Sequence, residues 1–479
     1  MSDLALGLSV PRQGIAFRLL GWSAIAAAVV VGAVGGKYPV VVGVVALALL
    51  AAAAGAVARA RPIAALNGAF FVILLAATKF RARPATASVA GEIDAQVLFE
   101  LGLYAVIGLV AVMAASSQSF HRRRLTPAEI LLALYSIIAV GSALWSRAPM
   151  LTLVKSTQLG ILFVLCVVAV RVMEPEGLLH SISGVAIPYV LVCGCLAVVF
   201  PWAENQVSTN PGRFSWFYVH PISAASYAAV GLLAVYFWAR FGKTPRQRIT
   251  LLRAFMLALP LVVILLLTRA RGPLIATVVA IGLVTIRTRV PRWLIAGVGA
   301  AALILLATYV NGGVSWRQWL NSHSGDTVTQ FLLRGQDVED VADFSGRTEL
   351  WKGATTLFEA RPFLGYGYGG ARNLLLERLP WAGDAHNGMM QSLLDAGLIG
   401  SLPLWAALVW AFSMVLFRDR RRGPADYAQP AAAAFLTFAL LNSTTDVGFA
   451  EPGYLFALTV VCVLAAERLS NGGARLAAA

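Results

Sequence analysis

Apolar residues along the chain fall into runs of roughly 18–22, the length a helix needs to cross a hydrocarbon core of ~30 Å. Fourteen such runs stand out, at about 16–35, 38–57, 62–79, 96–115, 128–146, 152–171, 177–200, 221–240, 251–268, 273–287, 293–310, 396–417, 428–446 and 453–468. In lipid every backbone N–H and C=O has to be satisfied within its own segment, so these runs are read as helices. The short alternating segments of a β-barrel do not occur. The run at 273–287 is short and the pair within 16–57 could pack differently, so the pattern predicts an all-α, polytopic transmembrane helix bundle of about 12–14 spans.

One polar stretch is long, about residues 311–395, and divides the chain into helices over 1–310, a partly helical loop, and helices over 396–479. A structureless loop of that length would be unusual, and long loops tend to carry function. In GRTELWKGATTLFEARP (346–362), Leu350, Trp351, Ala354, Leu357 and Phe358 recur at helical spacing and Pro362 closes the run. That spacing predicts an amphipathic helix lying on the membrane or on the bundle. A glycine-rich turn follows at 365–370, and HNGMMQSLLDAGLIG (386–400) begins a second helix that runs into the next span. No internal repeat is evident, which argues against a two-fold transporter architecture.

Composition agrees with the pattern. Charged residues make up 13% of the 479 and hydrophobic ones 59%, about half the usual charge of a soluble domain. The formal charge of +15 is read as the Lys and Arg excess that holds loops in the cytoplasm. With the N-terminus inside, clusters such as Arg122–Arg124, Arg240–Arg248 and Arg418–Arg422 all fall on the cytoplasmic side, and the long loop is periplasmic. No basic tail or aromatic-basic face points to nucleic acid. Cys166, Cys193, Cys195 and Cys462 lie in apolar runs and read as small buried hydrophobes. Trp202, Trp216, Trp316, Trp319 and Trp381 sit near the outer interface and read most simply as an aromatic belt, with stacking on sugar rings as the functional alternative.

Few side chains are left to carry chemistry. Of five histidines, His220 and His386 stand at outer boundaries, each opening a helix. A boundary histidine is commonly structural, but imidazole is also the natural base for a hydroxyl proton. Arg269 and Arg271 lie in TRARG (268–272), Arg213 in NPGRFSWFYVHP (210–221), and Lys155 at the start of a span. A single such cation ordinarily snorkels to headgroups or pairs with a carboxylate such as Glu100, Asp446 or Glu451. Arg213, Arg269 and Arg271 gathered beside His386 favour a bound anion, because guanidinium grips phosphate in bidentate fashion. Asp384 and Asp395 near His386 lack metal-ligand spacing, so neither a metal nor any other cofactor is expected. The glycines at 365–370 match no phosphate-binding loop.

ALWSRAP (143–149), GRF…HP (212–221), TRARG, GRTELW…RPFLGYGYGG (346–370) and HNGMMQSLLDAGLIG occur in an order that resembles the O-antigen ligase/polymerase superfamily. The resemblance spans residues about 140–400 and implies a metal-independent, inverting membrane glycosyltransferase of the bacterial inner membrane. It would have both termini cytoplasmic and its active site periplasmic. The donor implied is an undecaprenyl-diphosphate-linked glycan, and the acceptor is a hydroxyl on a glycan or glycolipid. Membrane lipids surround it, and chain-length regulators or export components are candidate partners. By the same resemblance His386 is the base, Arg213 and Arg271 hold the diphosphate, and Arg269, Arg347, Lys155 and His220 are supporting candidates. TRARG carries two arginines where relatives often have one, so the phosphate contact falls on either. The wording of GRTELW and RPFLGYG leans toward polymerase, with ligase as the alternative and a polysaccharide-lipid flippase as the reading from another class.

Overall fold

Proline opens the helices at Pro62, Pro127, Pro149, Pro175 and Pro221, where its missing N–H costs nothing and its fixed φ suits the first turn. The computed structural model describes residues 54–55, 57–79, 94–121, 123–200, 213–241, 249–287, 347–417 and 428–478. Within them the chain is helical: α1 (Pro62–Ala76), α2 (Ala95–Ala115), α3 (Pro127–Gly141), α4 (Pro149–Val172), α5 (Pro175–Gly184), α6 (Ala186–Val199), α7 (Pro221–Phe241), α8 (Leu251–Leu267) and α9 (Arg271–Arg287). Then come α10 (Arg347–Ala360), α11 (Arg372–Arg378), α12 (Gly388–Phe417), α13 (Ala428–Asn442) and α14 (Tyr454–Ala478). The sequence-predicted spans at 16–35, 38–57 and 293–310 lie almost wholly outside the described residues, and the others coincide with helices.

Among the described residues six helices, with α5 and α6 taken as one, are long and apolar enough to cross a membrane, and four shorter ones are apolar too. The predicted all-α, membrane-spanning class stands. The span at 177–200 is broken at Val185 because Pro188 cannot donate a hydrogen bond to Gly184. Large apolar side chains such as Leu251, Phe255, Met256, Leu259, Ile275 and Val278 face outward on α8 and α9. A water-soluble surface does not carry such a band, whereas lipid accepts it. The core runs through α7, α13 and α14, where Phe237, Phe435, Phe438 and Tyr454 are fully buried. Cys166, Cys193 and Cys462 are buried, but Cys195 is exposed on the outer face of α6, a correction to the expectation for all four.

The two ends of the bundle differ. At one end a capping box joins Thr126 and Glu129 at the start of α3. The wholly buried Glu129 also holds Arg171 at 3.0 Å and Arg123 at 3.2 Å. At the other end α10 and α11 form a small second core. The apolar face of α10 (Leu350, Ala354, Leu357) packs with Tyr366, Leu375, Ala385 and Leu394. The amphipathic helix therefore turns its apolar face to the start of α12, the bundle side of the expectation.

The glycine-rich turn is the hinge pin of this end. Gly367 has φ +89°, and a β-carbon there would lie 2.8 Å from Ser146 Cα, so the turn and the ALWSRAP segment meet backbone to backbone. Arg147 N–H donates to Tyr366 O (3.3 Å), Trp145 Nε1 to Leu364 O (3.0 Å) and Tyr368 N–H to Ser142 Oγ (2.9 Å). On the far side Tyr368 OH donates to Ala450 O at 2.6 Å. Most of ALWSRAP thus serves to seat the loop.

Candidate functional site

Four places in the fold meet at this end: the α8–α9 junction, the start of α7, the start of α12, and the α13–α14 connection. His386 sits two residues before α12 with φ +45°, a left-handed conformation unusual for a residue bearing a side chain. Asp384 holds it there. One carboxylate oxygen of Asp384 accepts the His386 backbone N–H at 2.8 Å and lies 3.1 Å from Nδ1 of the ring. Nδ1 is thus within ion-pair distance of the carboxylate, and it is buried with no hydrogen-bond partner among the described residues. Trp381 lies nearly parallel to the imidazole, centroids 6.1 Å apart and planes at 11°. On another side the His220 ring stands 6.4 Å away.

His220 is open to solvent but surrounded by protein on most sides, the situation of a side chain lining a cleft. Burial first, then the positive charge of Arg213 and the neighbouring His386, pushes it down to about 4. It is therefore neutral near pH 7. Its Nδ1 accepts the Ile222 N–H at 3.3 Å, so its own hydrogen is on Nε2 and faces away from that turn.

Arg347 and Arg271 both act electrostatically on Arg213. Burial, then the charges of Arg347 and Arg271, brings Arg213 down to about 10, still protonated near neutrality. Arg213 Nε donates to Thr268 O at 3.0 Å, which ties the short loop to TRARG, while Nη2 is buried and has no hydrogen-bond partner among the described residues. Burial also lowers Arg347, against the opposing pull of Asp446 and then Asp384. Within TRARG the two arginines diverge. Arg271 begins α9 and reaches the cluster, whereas Arg269, at φ +51°, is exposed.

Lys155 is paired with a carboxylate. Its Nζ donates to Glu451 at 2.8 Å, one of the carboxylates anticipated from sequence. Burial opposes the charge on Glu451, yet Lys155, then Arg372 and Lys79, hold it below the ordinary carboxylate range. Trp216 is wholly buried and donates from Nε1 to Tyr189 OH at 3.3 Å, so it belongs to the core and not to an interfacial belt. Its place follows from the turn after it, where Phe217 and Tyr218 take positive φ and fold the segment inward. Trp202, Trp316 and Trp319 lie outside the described residues.

Sequence reasoning gave Asp384 no role beside His386 except as a weak metal ligand, although its spacing of two residues suits an Asx-type contact with the histidine N–H. Asp446, in the α13–α14 connection, appeared only as a possible ion-pair partner. Burial, and then the carboxylate of Asp384, pushes it up to about 6, with His386 opposing. Among the described residues no group of three or more His, Cys, Asp or Glu could hold a metal ion. Chemically, the arrangement offers fixed cations for an anion and a carboxylate-held imidazole for a proton.

Residues 254–405 match a family described as O-antigen ligase. The match contains Arg269, Arg271, Arg347, Asp384 and His386, while Lys155, Arg213, His220 and Asp446 lie outside it. It supports the O-antigen ligase/polymerase superfamily, in line with the resemblance carried by TRARG, GRTELW and HNGMMQ. No curated protein matches the chain.

Proposed function

We propose, from the premise of an O-antigen ligase-type segment over residues 254–405, that this chain transfers a glycan from an undecaprenyl-diphosphate carrier to a sugar hydroxyl at the periplasmic face of the inner membrane. The observation that carries the reading is the Asp384–His386 pair, 3.1 Å apart, in one electrostatic neighbourhood with Arg213 and Arg347. Arg271 joins it through Arg213.

In this reading the lipid tail lies against the bundle and the diphosphate meets Arg213, Arg271 and Arg347. Arg269 is too exposed to be a principal ligand and serves at most at the rim. The acceptor oxygen attacks the anomeric carbon while His386 Nε2 takes its proton, and Asp384 steadies the imidazolium that forms. The C–O bond to phosphate breaks on the opposite face, which inverts the centre. The departing diphosphate carries its charge into the arginines. Such a leaving group needs neutralisation more than protonation, so guanidinium groups fill the part a metal ion plays elsewhere. Neutral His220 offers a hydrogen-bond donor toward the same space. The work of the fold is mainly positioning.

The preferred acceptor is the growing glycan, which makes the chain a polymerase; the motif wording GRTELW and RPFLGYG supports this. Lipid A-core is the alternative. Purified protein in detergent, given a synthetic polyprenyl-diphosphate donor and chelator, should form product ladders on the polyprenyl carrier. Product on lipid A-core alone would favour the ligase. Absence of any transfer, with donor translocated by the protein in vesicles, would favour a flippase.

A further inference from the structure

His386 takes a backbone conformation that a side-chain-bearing residue keeps only when its surroundings over-determine it. The residue before it is held at both its N–H and its C=O. Ala385 N–H donates to Gln391 Oε1 at 2.9 Å, and Ala385 O accepts from Trp351 Nε1 at 3.1 Å. The other end of the Gln391 amide is also engaged. Its Nε2 donates to Asp395 Oδ1 at 2.9 Å, and the same oxygen accepts the Gly369 N–H at 3.0 Å. Gln391 and Asp395 are one helical turn apart on α12 and face the same way. They are 3% and 2% exposed. A buried amide with an N–H donor at one end and a carboxylate at the other has a single satisfactory orientation.

We infer that Gln391 is a positioning residue for His386, and that with Asp395 it forms a strut tying the histidine arm to the glycine-rich turn. This rests on the base role proposed above for His386. Gln391 touches no reacting atom. It acts on the backbone of Ala385, the residue that leads into His386, and Asp395 carries that restraint to Gly369. The turn is itself seated on Ser142 and Ala450 through Tyr368. The strut therefore fixes His386 against the bundle rather than merely filling core space, a task already served by Leu394 and Leu375 beside it.

The strut can be cut at either of its two side chains. In Gln391→Glu the carboxyl still accepts from Ala385 but no longer offers the N–H that Asp395 accepts. Asp395→Leu removes the oxygen that accepts from both Gln391 and Gly369, whereas in Asp395→Asn the carboxamide oxygen still accepts from both. Steady-state transfer should show kcat falling about tenfold or more in Gln391→Glu and in Asp395→Leu, with donor KM unchanged because the arginines lie on other elements. Asp395→Asn should stay near wild type. In a His386→Ala background, Gln391→Glu should cost nothing further. Wild-type kcat in both Gln391→Glu and Asp395→Leu, an equally large loss in a normally melting Asp395→Asn, or a full extra loss in the His386→Ala background would each overturn the strut. Should a single variant fail to insert, Trp351→Phe removes the restraint on the carbonyl of the same residue, Ala385. A several-fold lower kcat at constant KM is expected there, and an unchanged kcat counts against the inference. Full transfer by His386→Ala alone would instead remove the base reading, an outcome separate from any strut result.

Discussion

Gly397 breaks α12 with φ +64° and ψ −170°, a region that only glycine enters readily. Its α-carbon lies against the backbone after α10, where an added β-carbon would meet Phe363 O and come 2.5 Å from Leu364 N. Those atoms cannot retreat freely. Leu398 N–H donates to Pro362 O at 2.8 Å and Ile399 N–H to Phe363 O at 3.2 Å, so the kink is where the small core is laced to the bundle. Gly397→Ala should therefore impose backbone strain of order 1–3 kcal/mol. It should also weaken two hydrogen bonds of roughly 0.5–1.5 kcal/mol each. A total of about 2–6 kcal/mol corresponds, at about 1 °C per kcal/mol for a chain of this length, to a thermal midpoint lower by about 2–6 °C, read in detergent or nanodiscs. Transfer should fall as well, because Gln391, Asp395 and His386 all lie just before the kink. A melting midpoint within about 1 °C of wild type would refute the reasoning.

Three further outcomes follow from the same geometry. Arg213→Gln removes a charge-assisted contact worth roughly 1.5–3 kcal/mol, so kcat/KM for the donor should fall about 10- to 150-fold, with kcat sharing the loss because the same guanidinium neutralises the departing charge; an unchanged kcat/KM would remove Arg213 from the anion site. Asp446 holds its proton to about 6 in the fold against an ordinary 3.8, mainly through burial and then through Asp384. The native state thus gains from protonation at low pH and loses that gain as pH rises through about 6. Asp446→Asn removes this falling contribution, so its melting temperature should climb more steeply over about pH 4–6 than that of wild type; equal slopes would contradict it. At the far end, Glu129→Ala leaves Arg123 and Arg171 without their buried carboxylate and should cost about 3–5 kcal/mol. Activity per folded molecule should stay near wild type, and an unaltered melting curve would count against that network.

Hydrophobic run length made the helices legible because lipid leaves the backbone no other solution. Breaks inside runs were harder to read. The split at Val185 depends on Pro188, whose effect falls one turn upstream, and the kink at Gly397 depends on a contact with a segment 34 residues earlier. The arginines and His386 were visible as unusual charges beside apolar runs. Which of them pair was not, because pairing is tertiary: Lys155 meets Glu451 across 296 positions. Arg269 and Arg271 look alike in TRARG and separate only when α9 starts at Arg271 and Arg269 turns outward. Asp384 was the nearest missed signal, since a carboxylate two residues before a histidine can take its N–H. Gln391 gave no signal of its own, being a neutral residue on a helix whose role comes from the peptide it meets.

The most direct test of the whole account is single-turnover transfer from a polyprenyl-diphosphate glycan by purified His386→Ala, with donor binding measured on the same preparation. Donor affinity should match wild type, since the arginines are untouched, while the transfer rate should drop about 10²- to 10⁴-fold. Transfer at the wild-type rate by a variant that binds donor normally would contradict the assignment of His386 as the base.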